Sequence, residues 1–190
     1  MTQRPSSVNE QMLTRHQLRQ ELLKNRRETA PEQRRAWDLR ISEQVIHLLS
    51  QERPALVAVY WPIKAEPDLL ECYQELRQLG MSLALPVVVG KQQALKFVPW
   101  LNDNEMELDD FGIPMPRDRT VSVTPDCMLI PCVGFNAQNF RLGYGGGFYD
   151  RSLALHKDCK TIGIAYQQAF CDFAADVHDI ALQRIITELP

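Results

Sequence analysis

The chain has 190 residues, 45% hydrophobic and 24% charged, with 21 Lys and Arg against 24 Asp and Glu for a formal net charge of −3. That size and balance predict one globular domain with a sizeable core, and the slight acidity argues against non-specific binding to nucleic acid or anionic membrane. No apolar run approaches the roughly 18 residues of a membrane span, and the opening MTQRPSSVNEQ lacks the apolar stretch of a secretion signal, so a cytoplasmic protein is expected.

Residues 1–10 are polar and are expected to form a frayed tail, with a single domain over 11–190. From Met12, Leu18, Leu22 and Leu23 punctuate a basic helix carrying Arg15, Arg19, Lys24, Arg26 and Arg27. Arg15 and Arg19 stand at i and i+4, on one face, a pattern that by itself reads as a solvated helix surface. TAPE at 29–32 has capping-box form, with Thr29 as cap and Glu32 reaching back. The helix it opens is predicted to run to about Ser50 behind a stripe of Trp37, Ile41, Val45, Leu48 and Leu49.

ALVAVYW at 55–61 predicts a strand covered on both faces, followed by a helix over 68–79 stopped by Gly80, and a second strand at 81–88. Strand, helix and strand in this space form a βαβ unit, hence a parallel sheet. A shorter strand is expected at 95–100, then a surface excursion over 102–118 broken by Gly112, Pro114 and Pro116. The apolar run 126–135 reads as one buried strand entering RLGYGGGFYDR at 141–151. A helix over 148–157, a strand at 161–166 and a last strand near 184–189 complete the pattern. The fold class is therefore α/β, a three-layer α/β/α single domain with a mostly parallel sheet, preceded by N-terminal helices. Five scattered cysteines without a C-x-x-C pair read as reduced, mostly buried thiols, and four histidines without ligand spacing give no zinc site.

Gly143, Gly145, Gly146 and Gly147 surround Tyr144 between Arg141 and Arg151. Such a cluster either supplies positive φ or lets a ligand lie against bare peptide. Strand, loop, glycines and helix start is the grammar of a phosphate site at the carboxyl end of a sheet, and Arg141 and Arg151 could add forked donors. No G-K-[ST] follows and no G-x-G-x-x-G occurs, so it is neither a Walker loop nor a dinucleotide fingerprint. A flexible glycine hairpin with incidental arginines stays open at this level. Asp150, directly after the loop, is the oxygen ligand that Mg²⁺ prefers, or simply a first-turn aspartate.

The stretch resembles the R-L-G-x-G-x-G-Y-Y-D-R signature of the 5-formyltetrahydrofolate cyclo-ligase family. RHQLRQELLKNRR at 15–27 is similar to that family's basic helix, VAVYWPIKAEPD at 57–68 to its first strand and following glutamate, and HDIALQRIITE at 178–188 to its closing segment. Together these cover residues 12–188. The chain departs from the family pattern at Asn136 (usually Asp), Asn139 (often Gly), Met115 (commonly Glu) and Phe148 (usually Tyr).

The resemblance implies an ATP- and Mg²⁺-dependent cyclisation of 5-formyltetrahydrofolate to 5,10-methenyltetrahydrofolate, ADP and phosphate. By matching positions, Arg15 and Arg19 would approach the nucleotide. Arg141, Leu142, Gly143, Tyr144, Gly145, Gly146, Gly147, Phe148 and Tyr149 would wrap its phosphates, with Arg141 the catalytic charge. Asp150 and Asp179 would ligate magnesium, and Glu66 would accept the pterin N–H groups. Trp61, Tyr144 and Phe148 would offer flat apolar surface to the substrate rings, although Trp61 reads equally well as core. Small molecules would be the partners, with no nucleic acid and no membrane, and the protein is expected to be a monomer. A non-catalytic folate- or nucleotide-binding paralogue, and a sugar-phosphate isomerase on a similar fold, are the alternatives.

Overall fold

The computed structural model describes residues 13–101, 106–110 and 112–190; the expected tail at 1–10 lies outside them. Helix α1 (Arg15–Glu28) opens on a capping box made by Thr14 and Gln17. The box expected at 29–32 does not form. Thr29 closes α1 instead, its N–H and hydroxyl both donating to the Asn25 carbonyl, which leaves Ala30 as the unassisted N-cap of α2 (Pro31–Glu52). Two residues separate the helices, so one side chain could serve only one of the two ends.

Strand β1 (Leu56–Ala58), α3 (Leu70–Gln78) and β2 (Ser82–Val87) form the predicted βαβ unit. The α3 helix stops at Gly80, whose φ of 90° only glycine adopts without strain. Next come β3 (Lys96–Pro99) and, within the excursion, β4 (Met106–Leu108) and β5 (Pro114–Pro116), which pair as a ribbon. The stretch expected as a single strand over 126–135 divides. After β6 (Cys127–Pro131), Val133 turns its N–H to Leu142 rather than to the sheet, and β7 (Gly134–Phe135) pairs with β8 (Arg141–Leu142). Helix α4 (Phe148–Leu155), β9 (Lys160–Ile164) and β10 (Arg184–Ile186) follow.

The main sheet has the order β10-β9-β6-β1-β2-β3, parallel except for β3, which runs antiparallel to β2. Alternation assigns the two faces: Cys127 and Leu129 join Val57, Leu83 and Ile162 beneath α2 and α3, while Met128 and Ile130 join Ala58, Ala84 and Leu153 on the α4 side. Helix α1 stands apart on a small third cluster, with Leu22 against Val133 and Leu142. Chain connections leave β1 and its neighbour β6 in opposite directions, so a crevice opens at their carboxyl ends. No helix among the described residues is long and apolar enough to cross a membrane.

Candidate functional site

That crevice is a cavity of about 1090 Å³. Tyr60, Trp61 and Glu66 after β1, Val87 at the end of β2, Pro131 at the end of β6 and Asp176, His178, Asp179 and Ile180 after β9 contribute to its wall. The glycine stretch crosses it, α1 lends Arg15 and Arg19, and the β4–β5 ribbon adds Ile113, Pro114 and Met115. Most of the residues named from the sequence therefore meet at one place. Leu142 does not line the cavity: its side chain is buried with Leu22 and Val133.

The four glycines divide by cause. Gly145 and Gly147 have φ of 97° and 66°, and Gly147 also leaves room for an Arg151 Nη1 that would lie 2.7 Å from a Cβ. Gly146 has an ordinary φ but lies under the Phe148 ring, 2.7 Å from a Cβ placed there. Gly143 has neither reason. A Cβ there would meet nothing within 4 Å, and the residue faces the cavity.

The arginines divide likewise. Arg151 donates to the Lys91, Gln93 and Gly146 carbonyls, tying the 90–93 turn to the glycine stretch, so the forked phosphate donor suggested by the sequence is engaged with backbone. Arg141 is 6% exposed and pairs with Asp150 at 2.8 Å, its guanidinium 5.8 Å from the Tyr149 ring centre. Arg15 pairs with Asp179, which also accepts the Asp176 N–H. Burial alone would raise the Asp179 carboxyl, but Arg15, that N–H and Arg141 outweigh it and hold the group below its ordinary value. Arg19 donates from Nε to the Gly143 carbonyl at 2.8 Å, with its guanidinium beneath Gly145. Arg15 and Arg19 thus sit in the cavity wall; a solvated helix face is the reading they do not support.

Glu66 sits at the end of a tight turn, where its N–H donates to Ile63 and Lys64 and Ala65 hold φ of 49° and 58°. Two consecutive left-handed non-glycine residues store strain of about 1–2 kcal/mol each, of the kind that accumulates at functional sites. The turn aims a carboxylate that is 4% exposed into the cavity. Glu66 Oε2 accepts the Ile63 N–H at 2.9 Å, and Oε1 accepts the Tyr144 hydroxyl at 2.8 Å. Burial raises its pKa against the lowering by these donors and by Arg26 and Lys64. Trp61 does both things expected of it: it lines the cavity and packs edge-on against Trp100 at 5.8 Å. Phe148 lines the cavity beside Arg151, and Met115 faces it while its Sδ takes an Arg119 N–H at 3.3 Å.

The departures at 136 and 139 belong to the β7–β8 connection. Asn139 has φ of 61°, the left-handed conformation that Asn tolerates. Buried Asn136 accepts from the Gln138 and Phe140 N–H groups and donates to the Phe173 carbonyl, a donation no carboxylate could make. Sequence reasoning passed over Arg26, Lys64 and Arg119. For Arg26 a signal existed: it stands at i+4 from Leu22 and i+7 from Arg19, on the face that α1 buries.

Residues 11–188 match the family model described as the 5-formyltetrahydrofolate cyclo-ligase family. A 5-formyltetrahydrofolate cyclo-ligase from Mycoplasma pneumoniae is 30% identical over 179 residues, covering 93% of this chain and 99% of the relative. One from Haemophilus influenzae is 30% identical over 160 residues, covering 80% and 86%. Among solved structures, a 5,10-methenyltetrahydrofolate synthetase from Mycoplasma pneumoniae superposes with a TM-score of 0.75 at 28% identity over 93% of this chain and 99% of that one. The Aquifex aeolicus 5,10-methenyltetrahydrofolate synthetase gives 0.82 at 28% identity over 94% and 91%. The chain belongs to the 5-formyltetrahydrofolate cyclo-ligase family.

Proposed function

We propose that the protein converts 5-formyltetrahydrofolate and ATP to 5,10-methenyltetrahydrofolate, ADP and phosphate. The observation that carries this reading is the meeting, in one cavity, of a buried carboxylate suited to pterin N–H groups and a glycine stretch flanked by arginines. The relatives' names suggest the substrate, and the geometry supports the following division of labour. An amide oxygen is a poor leaving group. Transfer of the γ-phosphoryl to the formyl oxygen makes it a good one, N10 then attacks the formyl carbon and loses its proton, and that oxygen departs with the phosphate. Such a transfer needs positioning and positive charge more than a side-chain nucleophile.

Arg141 would stabilise the charge developing on the transferred group, and Arg15 and Arg19 would bind the nucleotide. Gly143, bare toward the cavity, would let phosphate approach the backbone. Glu66 would accept two pterin N–H groups, with Trp61 and Phe148 beside the rings. Asp150 and Asp179 fit a magnesium ion that arrives with the nucleotide, because Mg²⁺ takes one or two carboxylates alongside phosphate oxygens and water. Among the described residues no group of three acidic, His or Cys side chains could hold a metal ion alone. Bound there, the ion would neutralise charge on the phosphates. The same reading makes the protein a cytoplasmic monomer, and its five free cysteines suit a reducing compartment.

The test is absorbance of the methenyl chromophore in purified protein with 5-formyltetrahydrofolate. Growth that requires both ATP and Mg²⁺, and that chelation abolishes, is expected. A flat trace with ATP and Mg²⁺ present would sink the proposal.

A further inference from the structure

Glu66 has no ion-pair partner among the described residues, yet its carboxylate is almost wholly buried. An isolated buried charge of this kind neutralises unless something compensates it. The nearest compensation reaches it through Tyr144. Arg26, 2% exposed, donates from Nη2 to the Cys132 carbonyl, which fixes it, and from Nη1 to the Tyr144 hydroxyl oxygen at 3.4 Å. That hydroxyl donates a hydrogen bond to Glu66 Oε1 at 2.8 Å, while the Lys64 ammonium lies 4.8 Å from the ring centre of the same tyrosine. A cation, a hydroxyl and a carboxylate thus form one directional chain from α1 through the glycine stretch to the turn after β1. A guanidinium can only donate and an ionised carboxylate can only accept, so the chain has one polarity.

We infer that Arg26 and Tyr144 are positioning residues for Glu66, holding its carboxylate in the anionic form and in the orientation that accepts pterin N–H groups. The inference rests on the reading of Glu66 as the pterin-binding carboxylate. Because a carboxyl group that binds a proton becomes a donor on one oxygen, a neutral Glu66 would face two pterin donors with only one good acceptor. Keeping the charge is therefore a condition of binding, and Tyr144 supplies it from within the segment that would hold the phosphates. The two halves of the cavity are set by the same side chain.

The other groups facing Glu66 do not compete for this role. Tyr60 from the end of β1, Tyr73 from α3, Tyr149 from α4 and Cys132 after β6 all feel its charge, and burial raises every one of their pKa values, so each stays neutral at and below neutral pH. The charged neighbours are Arg26 and Lys64, both of which favour the carboxylate. Removing the Tyr144 hydroxyl takes away one direct donor and the link to Arg26, so the proton affinity of Glu66 must rise.

The measurement is a ¹³C NMR titration of protein labelled at glutamate side-chain carboxyls, with the Glu66 resonance assigned by its loss in Glu66→Gln. Tyr144→Phe keeps the ring and its contact with Lys64, and should move the Glu66 midpoint up by about one pH unit. In parallel, the acid limb of kcat/KM for 5-formyltetrahydrofolate should move up by the same amount, which a merely structural tyrosine would not do. Arg26→Gln should act in the same direction; should it fail to fold, Tyr144→Phe alone decides. An unmoved midpoint in Tyr144→Phe overturns the inference. A moved midpoint with an unmoved acid limb overturns it too, since the charge would then have no part in folate binding. No turnover in the parent protein refutes the proposed reaction instead, and the ligand-free titration still decides the role of Arg26 and Tyr144.

Discussion

Replacing Gly143 with alanine separates what the fold needs from what a ligand needs. Its φ lies outside the left-handed region, and a Cβ built on it meets no protein atom within 4 Å. Folding therefore gives no reason for glycine, and Gly143→Ala should stabilise the chain by about 0.4–1 kcal/mol through the unfolded state. For a chain this size that raises Tm by about 1–4 °C. A phosphate lying against the residue 143 peptide would instead meet the new methyl group. Loss of one hydrogen bond to a charged oxygen, about 1.5–3 kcal/mol, raises the KM for ATP roughly 10- to 150-fold. Gly147→Ala is the control, because there the left-handed backbone costs roughly 1–2 kcal/mol and Arg151 must also move, so Tm should fall. Thermal melts and the methenyl assay on the two variants read both quantities. A Gly143→Ala protein that melts several degrees below the parent, or one whose ATP KM is unchanged, refutes the reasoning.

Arg151→Met should lower Tm, since three hydrogen bonds to backbone carbonyls are lost at about 0.5–1.5 kcal/mol each, and should raise the ATP KM while leaving most of kcat. Arg141→Met should act on turnover instead, lowering kcat by roughly 10²–10³ as befits charge at the transferred group; steady-state kinetics of the pair that came out alike would count against dividing the two arginines. At Asp38, burial raises the carboxyl from 3.8 to about 6 against the lowering by the Tyr166 hydroxyl and the Asp68 N–H. A folded-state value above the unfolded one means that this group's stabilisation is complete below about pH 4 and is lost as pH rises through about 6. Urea midpoints across that window should therefore fall less steeply in Asp38→Asn than in the parent, and equal slopes would show that Asp38 does not titrate there.

The order of elements was legible because apolar periodicity and turn residues are local properties. The runs that became β1, β2, β6 and β9 alternate between two buried faces, and both Gly80 and Asn139 take the left-handed backbone that their side chains suggest. Competition between neighbours was not legible. Thr29 has the chemistry to cap either helix end, and only the two-residue gap shows that it closes α1. The apolar run over 126–135 reads as continuous because residues 127–130 and 132–135 are all buried, yet the hydrogen bonds change partner at Val133.

The site was legible to the extent that it is sequential. The glycine stretch announces itself, but its two flanking arginines look alike in the sequence and differ in the fold. Arg141 lies inside a short β-ribbon with an acidic partner one helical start away, whereas Arg151 emerges from the first turn of α4 toward carbonyls of another loop. Glu66 alone is an ordinary loop carboxylate. What marks it is the strained Lys64–Ala65 turn and the tyrosine reaching across the cavity, both of which require coordinates.

The pairing of charges in the cavity carries the functional argument one step further. Arg141 with Asp150 and Arg15 with Asp179 are the groups proposed for phosphate and for magnesium, and here they pair with each other. A buried or partly buried arginine or carboxylate left alone would be costly, so each pair keeps its members placed until the ligand comes. A nucleotide without a cation would draw the arginines away and leave two carboxylates unpaired. A cation without a nucleotide would do the converse. The two together give every group a partner of opposite sign at once. If nucleotide and magnesium bind as proposed, this pairing favours their entry as a unit.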